Sequence, residues 1–333
     1  MKIRSSHAAL LACLLIACQL PACKKRESPG AGDTVGLRAV KLALNWVPEN
    51  EFGGYYEARE QGYFRAEGLD VTIQAGGAGV PMVQMVASGQ ADFGIAGADE
   101  VLLARTRGAD VVPIWATFQT APTAIMTPAA RGATTLADVF SGGTLAVEPG
   151  LVYVAFLKKK YGFDKVKVVP YDGGVARFVV EKDYAQQCYV TTEPILARRR
   201  GVEPKIFPIA AEGFDPYSGL VIVRRATWQK DPALVRSFVR AIRRGWRSYL
   251  DNPTAADALM GKLNPAMDAQ TFAEAGVIQR PLIETDATKA GGLGVMDKAR
   301  WETLAAQLVE LGTIDKPPPI DDYWIPPASL AAP

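Results

Sequence analysis

A single histidine, His7, occurs in the 333 residues, and it falls in an N-terminal segment patterned as an export signal. The body of the chain therefore has no imidazole, which excludes Ser-His-Asp and Cys-His catalysis and most transition-metal sites. Cysteine is nearly as scarce. Cys13, Cys18 and Cys23 precede the body, leaving Cys188 alone in "QQCYVTT", so no disulfide framework can form and the lone thiol reads as a small buried hydrophobe. Basic excess is missing too: Lys and Arg number 37 against 35 acids, and removing Lys2 and Arg4 with the leader leaves parity, so a nucleic-acid footprint is excluded. Neither a GxxxxGK[ST] loop nor a GxGxxG opening a helix after a strand is present.

What is present begins with the leader. Lys2 and Arg4 precede an apolar run from Ala8 to Ala17, too short to span a bilayer but suited to secretion, so residues 1–22 are expected to be removed outside the cytoplasm. "LPAC", ending at Cys23, resembles the lipobox of bacterial lipoproteins, which implies an acylated Cys23 holding the protein at a membrane. "LIAC", ending at Cys18, fits the same pattern, and cleavage without lipid stays open. Residues 23–38, with "KKRESPGAGDTVG", read as a flexible tether.

From Val40 on, short apolar runs (40–45, 69–74, 91–96, 110–118, 144–148, 166–170, 187–191, 219–224) alternate with helical patterns, which predicts an α/β chain of two similar halves. Beyond about 226 the pattern is helical only. "DPALVRSFVRAIRRGWRSYLDN" sets Asp231 as N-cap and Pro232 at the first helical position. Its Leu234, Phe238, Ile242, Trp246 and Tyr249 share one face; Arg236, Arg240, Arg243 and Arg247 share another, either solvated or docking to an anionic surface. A Pro-rich tail occupies 317–333.

Candidate chemistry is thin. "GGAGVP" (Gly76 to Pro81) is a Gly-rich loop into a helix, able to hold an anionic group or merely to cross over. Carboxylates pair at Glu49 and Glu51 and at Asp99 and Glu100, with Glu193 beyond, but a charged protein produces such pairs by chance, and catalysis by two of them is not expected. Trp46, ending the first strand as "LNWVP", is either the wall of a cleft or a plug for the core.

"LNWVPENEFGGYYEAREQGYFRAEGLDVTI" and "MVQMVASGQADFGIAGADEVLLARTRGADVVPI" together resemble the extracytoplasmic substrate-binding proteins of ABC importers, in the group of thiamine-pyrimidine-precursor binders and the related yeast pyrimidine synthases. "TLAVEPG", "EPILARRRGV" and "DPALVRSFVRAIRRGW" match in character. The resemblance implies a two-lobed type II periplasmic-binding-protein fold with extra C-terminal helices: one lobe from 39–118 and 220–316, the other from 119–219, with crossovers near 113–128 and 210–222. Ligands in such proteins lie between lobes beyond strand ends. The same logic carries Asn45, Trp46, Glu49, Gly77, Asp99, Glu148, Tyr153, Glu193 and Tyr217 to the cleft.

These residues are acids, an amide and aromatics, without the Arg and Lys an anion needs, which favours a neutral or cationic nitrogen heterocycle such as an aminopyrimidine or a flavin. The resemblance implies a monomeric receptor with no cofactor and no metal, whose partners are a permease and its ATPase. Two alternatives are kept: a pyridoxal-phosphate-dependent synthase-like enzyme, and a receptor for an anion such as a sulfonate. Against the first, "AEGFDPYSGLVIV" lacks the cysteines of the synthases' iron-binding run; in addition, "VVEKDYAQQCYVTTEP" departs from the usual Gly-x-Asp-Ala, so ligand identity does not transfer.

Overall fold

The computed structural model describes residues 36–331; the leader, Cys18, Cys23 and most of the tether lie outside them. Ten strands build two mixed five-stranded sheets. β1 (Arg38–Ala43), β2 (Leu69–Gln74), β3 (Phe93–Ala96) and β4 (Val111–Phe118) run in succession, after which the chain crosses to β5 (Thr123–Pro128), β6 (Thr144–Val147), β7 (Lys167–Pro170), β8 (Tyr184–Tyr189) and β9 (Pro204–Pro208), then returns to β10 (Ser218–Arg224). The orders are β2-β1-β3-β10-β4 and β7-β6-β8-β5-β9. The two are laid out alike: a parallel trio (β2-β1-β3; β7-β6-β8) is followed by one strand inserted antiparallel, β10 in the first sheet and β5 in the second. The strand that enters each sheet antiparallel is the one that has just crossed from the other, so two short connections, 119–122 and 209–217, join the lobes.

β5 and β9 fall in stretches where the sequence pattern shows no separate strand. β5 follows β4 after only four residues and merges with its apolar run. β9 is flanked by Pro204 and Pro208, which argue against a central strand; it lies at an edge, where a missing N–H leaves no ladder bond unmade. β4, with Pro113, is the corresponding edge of the first sheet.

The first lobe packs its sheet on the helices Gly53–Glu60 and Pro232–Asp251. Asp231 caps the latter, accepting from the Leu234 N–H at 3.0 Å, and its apolar face stacks Phe238 on Phe93 with ring centroids 3.9 Å apart. The two helices approach so closely that a Cβ at Gly54 would stand 2.3 Å from the Trp246 ring, and one at Gly245 2.2 Å from the Gly54 carbonyl oxygen. This contact fixes the height of the segment just before the first helix, which carries Glu49 and Glu51.

The arginine stripe is neither a free solvated face nor an unpaired docking surface. Arg236 donates to the Ser329 carbonyl at 2.9 Å, Arg240 forks onto Glu67 at 2.7 and 3.0 Å, and Arg247 pairs with Asp251 and Glu284. Its work is to hold neighbouring elements to the helix, the Pro-rich C-terminal segment among them. That segment packs down: Tyr323 is buried against Trp301, 5.6 Å between centroids. No helix among the described residues is long and apolar enough to cross a membrane.

Candidate functional site

Between the two sheets, at the carboxyl ends of β1, β3, β6, β7 and β8, lies a cavity of about 190 Å³. Strand ends converge there because parallel strands all release their chains on the same side, the general site of ligand binding in α/β sheets. Asn45, Trp46, Glu49, Asp99, Glu148, Tyr153, Glu193 and Tyr217 all line it. Gly77 does not. The loop after β2 instead turns against the back of the Asn45–Trp46 segment: Gly76 N–H donates to the Trp46 carbonyl at 3.0 Å, and a Cβ on Gly76 would sit 2.0 Å from the Leu44 oxygen. The glycines of "GGAGVP" thus shape the wall from behind and hold no group in the cavity.

Sequence reasoning missed Glu51, Glu100, Tyr171, Gln187, Tyr189 and Ser218, which also line it. Glu51 and Glu100 are the partners in the noted carboxylate pairs. Tyr171 stands one residue past β7, where the strand-end rule would have found it; Gln187 and Tyr189 face the cavity from within β8, a strand whose register only the sheet fixes.

Hydrogen bonds hold the walls. Gln187 Oε1 accepts from the Tyr153 hydroxyl at 2.7 Å and the Glu148 N–H at 2.6 Å, which orients its amide. Glu193 accepts from the Tyr171 hydroxyl at 2.7 Å and the Tyr189 N–H at 2.8 Å. Across the cleft, Thr192 of the second lobe donates to Glu49 of the first at 2.8 Å, and Tyr189 meets Ser218 at 3.1 Å. Asn45 Oδ1 is buried with no partner. Trp46 is half-buried, one side on the first lobe's core and another on the cavity, so it serves both roles the sequence allowed.

The electrostatics are one-sided. Six carboxylates face the cavity, and among the described residues around it there is no Lys or Arg. Burial, and then Glu193, push Glu49 up to about 7, against the bond from Thr192. Burial and Glu100 push Asp99 up to about 7. Burial also drives Glu51, Glu100, Glu148 and Glu193 upward. The same burial raises Tyr153, Tyr171, Tyr189 and the Cys188 thiol, so these stay protonated and Cys188 is no nucleophile. No described cluster of three or more His, Cys, Asp or Glu is placed to hold a metal.

Chemically the site can stack a flat ring and accept hydrogen bonds along its edge. A pyridoxal phosphate does not fit it, since it offers no lysine for the aldehyde and no base for the phosphate.

Similar proteins are known by sequence and by fold. Riboflavin-binding protein RibY of Chloroflexus aurantiacus is 29% identical over 339 residues, covering 95% of each chain. A formylaminopyrimidine-binding protein of Halalkalibacterium halodurans is 24% identical over 310 residues, covering 88% of this chain and 92% of its own. Among solved structures, the periplasmic aliphatic sulphonate binding protein SsuA of Escherichia coli superposes with a TM-score of 0.65 at 16% identity, covering 86% of this chain and 92% of its own, which establishes the periplasmic-binding-protein fold. The NMT1/THI5 like family model matches residues 49–256, well over half of the chain, and the protein belongs to that family.

Proposed function

We propose that this protein is the extracytoplasmic substrate-binding component of an ABC importer, held to the membrane through lipid on Cys23 (Cys18 being the other fitting position), and that it captures a small nitrogen heterocycle between its lobes for a permease driven by an ATPase. It acts as a monomer and performs no bond-breaking. The lobes are 39–118 with 218–316, and 123–208, closing about the two connections; the boundary the sequence suggested at 219–220 falls inside β10, which belongs to the first sheet. The observation that carries the reading is the cavity at the strand ends, walled by aromatic rings and hydrogen-bond acceptors and free of Lys and Arg among the described residues.

Two rival readings fare worse on the same wall. A sulfonate needs arginine or lysine to replace its water, and the cavity supplies carboxylates. A synthase using pyridoxal phosphate needs the lysine the wall lacks. The test is a thermal-shift screen of the purified protein with aminopyrimidines, thiamine, flavins, sulfonates and polyamines. A ligand present at a hundred times its Kd stabilises the folded state by about 2.7 kcal/mol. Stabilisation by a heterocycle supports the reading; a screen in which only sulfonates act, or in which nothing does, overturns it.

A further inference from the structure

The six carboxylates do not share a wall. Glu49, Glu51, Asp99 and Glu100 belong to the first lobe, following β1 and β3; Glu148 and Glu193 belong to the second, following β6 and β8. Bringing the lobes together therefore sets negative charge against negative charge, with Thr192 donating to Glu49 across the gap beside Glu193. Such a cleft opposes its own closure when empty, because like charges in a space of low dielectric repel strongly. The walls meet only if carboxyls take up protons or something positive sits between them.

We propose that the ligand of this cleft is an organic cation, a flat heterocycle carrying a protonated or quaternary nitrogen, whose charge is what allows the two acidic walls to close. This rests on the receptor reading above and narrows it.

Three features of the wall suit a cation and turn away an anion. The charged groups are acceptors only, and no guanidinium or ammonium competes for them: Arg300, which stacks on the Tyr217 ring at 4.0 Å, has its N–H groups engaged by the Asp215 and Gln119 carbonyls. The rings of Trp46, Tyr189 and Phe214 line the cavity, and an aromatic ring attracts a cation held over its face once water is excluded. Asn45 Oδ1, buried and unpartnered, is one more acceptor waiting for an N–H. A neutral ligand would leave the facing carboxylates to take up protons before the walls meet, and an anion would be repelled by both.

The pH dependence follows from every group facing the cavity. On the first lobe these are Glu49, Glu51, Asp99 and Glu100; on the connection 209–217, Tyr217; on the second lobe, Glu148, Tyr153, Tyr171, Cys188, Tyr189 and Glu193. The tyrosines and the thiol titrate above neutrality and keep their protons. Only carboxyls change charge between pH 5.5 and 8, and Glu49 and Asp99 do so at about 7. A permanent cation displaces their protons, so it binds tighter as pH rises; a neutral heterocycle that uses a carboxyl as donor binds tighter as pH falls.

The experiment is calorimetric titration with two series of flat heterocycles matched in shape and differing in charge: 1-methylnicotinamide, nicotinamide and nicotinate, and thiamine beside its neutral pyrimidine half and riboflavin. The expected result is that a cation is the tightest binder and gains about thirtyfold or more from pH 5.5 to pH 8, about thirtyfold being the effect of one carboxyl near 7 losing its proton. In Glu49→Gln and Glu193→Gln, which keep size and shape, cation affinity should drop at least tenfold, and in Glu49→Gln the melting temperature should not fall. If a neutral or anionic member binds and the cations do not, or if affinity for the cation is flat or falls with pH, the charge assignment is wrong and the receptor reading stands. If no heterocycle binds at all, both fail.

Discussion

The ligand-free protein should lose stability as pH rises from 5 to 8, and Glu49 is the group to watch. The residue is 8% exposed and its carboxyl is pushed up to about 7 by burial and by Glu193. Below its ordinary value of 4.5 the group is protonated whether the chain is folded or not, and folding buries no charge on its account. Above about 7 the folded chain must hold a charge that the unfolded chain keeps in water. The folded state binds more protons in between, so stability falls with pH across that window, by about 3 kcal/mol at most for this one group. The share due to Glu193 vanishes if the empty lobes part, which makes that figure an upper bound. In a protein of this size about 1 kcal/mol moves the melting temperature by roughly 2 °C, so the effect is a drop of at most about 6 °C. The window is clear of opposite trends from the best-bonded surface acids, since Asp138 and Asp268 are held down to about 2. Melting curves at constant ionic strength across pH 5 to 8 measure it, with Glu49→Gln expected to flatten the slope by that amount. A melting temperature that is constant or climbs over this range, or an unchanged slope in the variant, would refute the reasoning.

Trp46→Ala should weaken ligand binding by about 1 to 3 kcal/mol through the lost ring contact; unchanged affinity with a lowered melting temperature would assign the ring to the core alone. Gly54→Ala pushes a methyl into the Trp246 ring and should destabilise by about 1 to 3 kcal/mol in urea unfolding, since overpacking has nowhere to relax between two crossed helices. Arg300→Met removes the group that ties the Gln119 and Asp215 carbonyls of the two lobe connections, and should speed ligand release in stopped-flow measurements; Arg300→Lys should not restore it, because one ammonium does not span both. Cys23→Ala should free the protein from membranes, and retention would move the anchor to Cys18.

Much of this was legible in the residues. Periodicity placed β2 over 69–74 and the long helix from Pro232, because alternation and an Asp-Pro start are local signals that need no partner. The strand-end rule brought eight cavity residues together from distant parts of the chain. It failed at Gly77, where a loop bends behind its own strand, and it passed over Tyr171, Gln187 and Ser218.

The sequence alone determined the α/β class, the scarcity of imidazole and thiol, and the surplus of acids over bases near the strand ends, since composition and period are properties of the chain. Only the tertiary structure decided that β5 and β10 exchange sheets, that the arginine stripe clamps the C-terminal segment, and that carboxylates from two lobes face each other. Those outcomes depend on which segments, hundreds of residues apart, share a register or a wall. Charge is written residue by residue, but its potential is set by what burial and closure place across the gap.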